Sequence, residues 1–261
     1  MKIASWNINS LRKRVDRLLP WLAENQYDVV CLQETKCSDD LFPEMELQAA
    51  RYRAVFHGQK SYNGVAILAR GQLLDPVASL CDEIIDEQAR VMAATFAGVR
   101  IFCIYAPNGQ AIGSPAFAYK SEWFRRLRDC VARAQAQFSD IIVCGDFNVA
   151  PEDRDVHDPA LWRGAIMCSQ PERACFDALT QIGLRDTLRI HHPEPGLFTW
   201  WDYRMLAFQK NRGLRIDEIL ASENLAARCV AAGIDRDMRK GKDPSDHAPI
   251  WAEFRNVNSE W

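Results

Sequence analysis

Nine short apolar runs, at residues 3–7, 29–32, 53–56, 65–68, 91–96, 100–105, 141–144, 215–221 and 249–254, constrain this chain more tightly than any other feature. Runs of that length, rich in β-branched and apolar residues, read as strands, because a helix needs a longer periodic stretch to bury a stripe. Helical patterns intervene over 15–24, 41–49, 118–137 and 171–182, with apolar residues three and four apart, as in Trp123, Leu127, Cys130, Val131 and Ala134. The alternation implies an α/β fold. Two sheets packed face to face with helices outside would house this many strands; periodicity alone leaves one large mixed sheet open as well.

With 261 residues, 48% of them hydrophobic, the chain can bury a large core without needing a second domain. The expectation is a single domain over 1–255 and a loose tail over 256–261. Against 35 acidic side chains stand 32 basic ones, giving a net charge of −3, which excludes a protein that coats nucleic acid through bulk charge but leaves room for local basic patches. The nine cysteines are odd in number and contain no C-x-x-C pair. Cys31, Cys103 and Cys144 fall inside apolar runs and act as small core residues, which suits free thiols in a reducing cytoplasm. The first residues lack the apolar stretch of a signal peptide and no span is long enough to cross a membrane, so a soluble cytoplasmic protein with no membrane partner is expected. The helical stretches carry no long apolar seam, which fits a monomer.

The ends of the apolar runs carry the chemistry. Val29-Val30-Cys31-Leu32 precedes Glu34, Ile141-Ile142-Val143-Cys144 precedes Asp146 and Asn148, and the first run delivers Asn7, so buried strands would aim these groups at one crevice. Oxygen ligands with one histidine suit magnesium-assisted phosphate chemistry. Taken singly, each has an ordinary explanation: Glu34 as a turn residue, Asp146-x-Asn148 as an Asx turn, Tyr105 as a core tyrosine. Gly145 is expected to let a substrate approach closely. Asp217 lies in the apolar stretch 214–220, where an unpaired carboxylate would be costly, and the His247 imidazole, next to Asp246, is the expected partner. Phe198-Thr199-Trp200-Trp201-Asp202-Tyr203-Arg204, followed by Lys210, Arg212 and Arg215, interleaves aromatics with cations, as stacking on a sugar or base beside phosphates requires, although core packing explains at least one Trp. Tyr62-Asn63-Gly64 reads as a hairpin turn and Arg90 as a surface cation unless a ligand is present.

Together and in order, Trp6-Asn7-Ile8-Asn9-Ser10-Leu11-Arg12, Gln33-Glu34-Thr35-Lys36, Tyr62-Asn63-Gly64-Val65-Ala66-Ile67, Gly145-Asp146-Phe147-Asn148-Val149-Ala150-Pro151, Trp201-Asp202-Tyr203-Arg204, Leu214-Arg215-Ile216-Asp217 and Ser245-Asp246-His247-Ala248-Pro249 resemble the bacterial exonuclease III family, within the endonuclease/exonuclease/phosphatase superfamily. The resemblance implies a four-layered α/β/β/α sandwich (DNase I-like). It implies that Glu34, assisted by Asn7 and Asp246, holds Mg2+ or Mn2+, with Asp146, Asn148 and His247 as ligands of a second site. Asp146 would activate or orient water, Asn148 and Tyr105 would bind the phosphate, and His247, oriented by Asp217, would support charge developing there. Lys36, Tyr62, Arg90, Arg173 and Tyr203 would line the DNA path, and Trp200, Leu214 and Ile216 would form a small apolar pocket for a sugar lacking its base.

The implied partner is double-stranded DNA with 3′ ends, nicks or abasic sites, and the implied activities are 3′-to-5′ exonuclease, 3′-end cleaning and abasic-site incision in DNA repair. Two departures bear on the balance among them. Met167 stands where family members that cut at abasic sites commonly carry a small residue, and its side chain would obstruct an extruded sugar while leaving a frayed 3′ end accessible. Leu206 replaces a polar residue often found in the aromatic loop. The rival readings are a superfamily phosphoesterase acting on lipid headgroups or inositol phosphates, and a non-catalytic module that binds DNA ends.

Overall fold

A computed structural model describes residues 1–84 and 86–255. The tail expected over 256–261 lies outside the described residues. The chain runs β1 (Lys2–Asn7), α1 (Leu11–Asn25), β2 (Val29–Gln33), α2 (Glu44–Ala49), β3 (Arg53–His57), β4 (Val65–Ala69), β5 (Leu74–Val77), β6 (Val91–Phe96), β7 (Val99–Tyr105), α3 (Pro115–Gln135), β8 (Ile141–Asp146), α4 (Pro159–Trp162), α5 (Gln170–Thr180), β9 (Leu184–Asp186), α6 (Thr187–His191), β10 (Asp217–Ser222), α7 (Glu223–Ala226), β11 (Cys229–Ile234) and β12 (Ile250–Phe254). The strands form two six-stranded sheets, ordered β11-β12-β1-β2-β4-β3 and β5-β6-β7-β8-β10-β9. This decides between the two arrangements that periodicity left open.

Side-chain alternation divides the strands between three apolar layers. Ile3, Val29, Cys31, Ile67, Ile101, Cys103, Ile142, Cys144 and Ile219 interlock between the sheets. Their odd-and-even neighbours Ala4, Trp6, Val30, Leu32 and Leu68 pack under α1 through Leu11, Leu18, Trp21 and Leu22. Phe102, Ile104, Ile141, Val143 and Leu220 pack under α3 and α5 through Trp123, Phe124, Leu127 and Phe176. The result is helix, sheet, sheet, helix. Because successive residues of a strand face opposite ways, Asn7, Tyr105, Asp146 and Asp217 share the parity of the buried residues between the sheets and emerge where that interior meets the rim.

Three strands carry no signal in the apolar runs, and all three are sheet edges: β5 contains Pro76, β9 is three residues long, and β11 is built on Ala-Ala-Gly. Edges tolerate proline and weak composition because one side of the ladder is free. The short helices α4, α6 and α7, of four or five residues, fall below the window in which periodicity can register. The run expected at 215–221 starts later, at Asp217, because Leu214 bridges Val156 and Trp200 instead of extending β10. That junction is pinned by charge: the Arg215 Nε donates to Asp155 Oδ1 at 2.6 Å, Arg215 Nη1 lies 2.7 Å from Asp186, and Arg189 also pairs with Asp155. Asp155 and Arg215 are both fully buried.

Gly145 serves the sheet rather than the substrate. At φ +148° its missing Cβ would lie 1.9 Å from the Ile104 carbonyl oxygen, so the close approach it permits is that of β7 to β8. Gly145→Ala is expected to destabilise the protein by more than about 3 kcal/mol, since the obstacle is backbone. Gly98→Ala, at φ +80° in open space, is expected to cost only about 1–2 kcal/mol. Urea unfolding of the two variants measures the contrast.

Candidate active site

The rim is assembled from strand ends of both sheets. Asn7 closes β1, Tyr105 closes β7, Asp146 closes β8, and Asp217 opens β10. Asp146 has Tyr105 as its cross-strand neighbour on one side and Asp217 on the other. Glu34 follows β2 with a positive φ of +51°, which turns its side chain away from the strand's alternation and toward Asn7. His247 lies just before β12, where Trp6 Nε1 donates to its carbonyl oxygen at 3.2 Å.

These groups meet. Asn7 Nδ2 donates to Glu34 Oε1 and to Asp146 Oδ2, each at 2.9 Å, and so bridges the two carboxylates across the sheet interface. Asp217 Oδ2 lies 2.8 Å from His247 Nδ1, and His247 Nε2 lies 3.7 Å from Asp146 Oδ2. Glu34, Asp146 and His247 offer donor atoms within 4.8 Å of one another. Asp246 sits beside them with its oxygens taken by Asn9 Nδ2 at 2.8 Å and Trp200 Nε1 at 3.1 Å. Asn148, at φ +51°, curls back in the Asx turn: its N–H donates to Asp146 Oδ1 at 2.8 Å and its Nδ2 to the Ala106 carbonyl at 2.9 Å. One Asn148 amide hydrogen is left for a ligand.

Of the residues expected along the DNA path, Tyr62 is exposed, and its loop is held to the segment after Glu34 by Thr35 N–H to Gly64 O and Lys36 N–H to Asn63 O. Tyr62-Asn63-Gly64 does lie in a hairpin connection, a seven-residue loop between the antiparallel strands β3 and β4, and that loop also docks on the segment after Glu34. Lys36 Nζ lies 2.6 Å from Glu34. Arg90 stacks on the Tyr105 ring at 4.7 Å and donates to its carbonyl oxygen. Arg173 pairs with Asp153 at 2.7 Å. Tyr203 is exposed and donates to Pro244 O, while Trp201 is the tryptophan of the pair that belongs to the core. Leu214 and Ile216 are fully buried in a cluster with Ala150, Val156 and Cys168, and Met167, Trp162 and Trp200 pack over it. Met167 thus packs against the residues expected to line a sugar pocket.

Two site residues carry no role in the sequence reading, although one of them, Asn9, lies inside one of its motifs. Asn9 accepts from Lys36 Nζ at 2.6 Å, donates to Asp246, and through its N–H binds Asn7 Oδ1 at 3.1 Å. Asn108 Nδ2 donates to Asn148 Oδ1 at 3.2 Å. Asn9 stands two residues from Asn7, a spacing that could have flagged it; Asn108 carries no such signal.

Burial lifts Asp146 to about 7; His247 opposes that lift, and Asp217 and Glu34 add to it. For His247, burial pulls downward, but Asp217 and Asp146 outweigh it and push the imidazole up to about 10. Burial, with Glu34 and Asp146 nearby, drives the Tyr105 hydroxyl well above its usual range. Both Asp146 and His247 bind protons more tightly folded than unfolded. Their contribution is therefore present at low pH and is lost as pH rises through about 7 for Asp146 and about 10 for His247. Metal-free protein is expected to lose stability in urea as pH climbs from 6.5 to 10. Asp217→Asn should flatten that slope and drop the His247 titration, read by NMR, toward 6.5.

The endonuclease/exonuclease/phosphatase family model matches residues 4–247. Exodeoxyribonuclease III of Haemophilus influenzae is 36% identical, over 98% of this chain and 100% of its own. Among solved structures, the 3′ phosphatase NExo from Neisseria, bound to a product DNA hairpin, superposes with a TM-score of 0.96 at 43% identity, covering 100% of both chains. An AP endonuclease from Archaeoglobus fulgidus gives 0.93 at 37% identity, over 98% of this chain and 99% of its own. The chain belongs to the endonuclease/exonuclease/phosphatase family and is a nuclease of its exodeoxyribonuclease III branch.

Proposed function

We propose that this protein is a Mg2+-dependent DNA-repair phosphodiesterase that removes nucleotides and blocking groups from 3′ ends of duplex DNA, with abasic-site incision held down by Met167. The observation that carries the reading is the meeting of Glu34, Asp146 and His247 donor atoms within 4.8 Å at one rim. Three carboxylates gathered around one imidazole leave negative charge that a hard cation would offset, and oxygen donors are what such a cation takes. Glu34, joined by Asn7 and Asp246, would hold Mg2+ or Mn2+, with Asp146, Asn148 and His247 at a second site; the cation supplies charge neutralisation at a phosphate oxygen.

The chain's own groups divide the remaining work. Without a second cation, His247, pushed toward its protonated form by Asp217 and Asp146, would present an N–H and a positive charge to the phosphate; a cation at the second site would instead take its neutral Nε2. Asp146, lifted to about 7, is the group able to take the proton of an attacking water near neutral pH. Tyr105 keeps its hydroxyl hydrogen and donates it, as does the free amide hydrogen of Asn148. Lys36, Tyr62, Arg90, Arg173, Trp200 and Tyr203 would guide the duplex through phosphate and sugar contacts, which set register without reading sequence.

Met167 supports the preference for 3′ ends. It packs on Leu214 and Ile216, where a base-free sugar would need room. Its φ of +69° is a conformation natural to glycine. On matched duplexes, Met167→Gly is expected to raise abasic incision by about 10-fold or more and to leave 3′-end removal within about 3-fold. Unchanged abasic incision would refute the obstruction. Glu34→Gln is expected to raise the Mg2+ concentration for half-maximal cleavage by more than about 10-fold, measured by metal titration after EDTA treatment; cleavage that persists in EDTA would sink the metal assignment.

A further inference from the structure

Behind the rim, an enclosed ion pair joins the Asn148 turn to the Met167 loop. Lys120, in the second turn of α3, is 1% exposed. Its Nζ donates to Glu172 Oε1 at 2.5 Å, to the Asn148 carbonyl at 2.7 Å and to the Asn108 carbonyl at 3.2 Å, so each ammonium hydrogen has an acceptor. Glu172, at the start of α5, accepts the Met167 N–H at 3.0 Å on Oε1, and on Oε2 the Ser169 N–H at 3.2 Å and hydroxyl at 2.6 Å. The Ala150 N–H donates to the Met167 carbonyl at 2.7 Å and closes the circuit.

The capping of α5 accounts for the Ser169 bonds and for nothing else in this circuit. Stability is a poor reason for the rest, because two apolar residues of similar volume would do as well as a buried pair. What the pair adds is geometry. Met167 holds a positive φ of +69°, a state that a long non-glycine side chain keeps only when its surroundings over-determine it, and Asn148 one of +51°, which asparagine accepts more readily. Lys120 fixes the carbonyls of two asparagines whose side chains bind each other, and Glu172 fixes the amide of Met167.

We infer that Lys120 and Glu172 are a positioning pair that sets the Asn148 amide and the Met167 side chain as one unit, at a fixed spacing across the nuclease rim. The inference rests on the proposed nuclease reading. Lys120→Met, assayed with Mg2+ on a duplex with a recessed 3′ end, is expected to lose about 10- to 100-fold in kcat with KM within about 3-fold. Glu172→Gln should lose in the same direction, and the double variant should fall no further than Lys120→Met alone, since the two act together. Leu127→Ala, a core truncation in the same helix, should lower Tm and leave kcat unchanged well below it.

Lys120→Met with wild-type kcat, or a matching kcat loss in Leu127→Ala, would overturn the inference. If Lys120→Met does not fold, Glu172→Gln decides: unchanged kcat overturns it. Wild-type protein that cleaves no duplex would instead sink the function itself, and hydrogen exchange then tests the pair directly. The Met167 and Ala150 amides should exchange at least about 10-fold faster in Glu172→Gln than in wild type, and equal rates would overturn the inference.

Discussion

Three carboxylates can share one rim only if something between them carries hydrogen or positive charge, and the structure depends on how that is arranged. Asn7 stands between Glu34 and Asp146, and His247 between Asp146 and Asp217. Both links join one sheet to the other. Without them the ends of β2, β8 and β10 would repel each other through a low-dielectric interior, where like charges are expensive. The polar contacts that tie the sheets together at this edge are therefore the same ones that tune the groups proposed for chemistry.

Much of this was legible in the sequence. Central strands announced themselves because they are buried on both faces and read as unbroken apolar runs, and their parity already put Asn7, Tyr105, Asp146 and Asp217 on one side. Three of the edge strands, β5, β9 and β11, were silent because the composition of an edge is free to vary, whereas the edge strand β3 was legible. Glu34 could be placed at a strand end, but its direction comes from a positive φ that no composition reveals. Gly145 was assigned to a substrate when it answers to the Ile104 carbonyl, since a glycine's neighbour cannot be read from its own position. Lys120 and Asn108 were invisible for a related reason: the partners of Lys120 are Glu172 and two main-chain carbonyls, that of Asn108 is the Asn148 side chain, and only the folded packing brings them close.

The face proposed to meet DNA belongs to a chain of net charge −3. Its cations are already engaged: Lys36 with Glu34, Arg173 with Asp153, Arg90 with the Tyr105 ring and carbonyl. A phosphate arriving there exchanges one oxygen acceptor for another rather than ordering a loose side chain, which lowers the entropy lost on binding. Held cations also fix where the backbone can lie, and position is what a phosphodiesterase needs most.

β1 lies between β2 and β12, and the pairing of Lys2 with Glu253 joins residues far apart along the sequence. Contacts of such separation are slow to form, because a long loop must close before any pairing rewards it. His247 reaches the rim only through that closure. A nascent chain thus carries Glu34 and Asp146 long before His247 can join them, and the proposed site is complete only when β12 has been synthesised and has zipped onto β1.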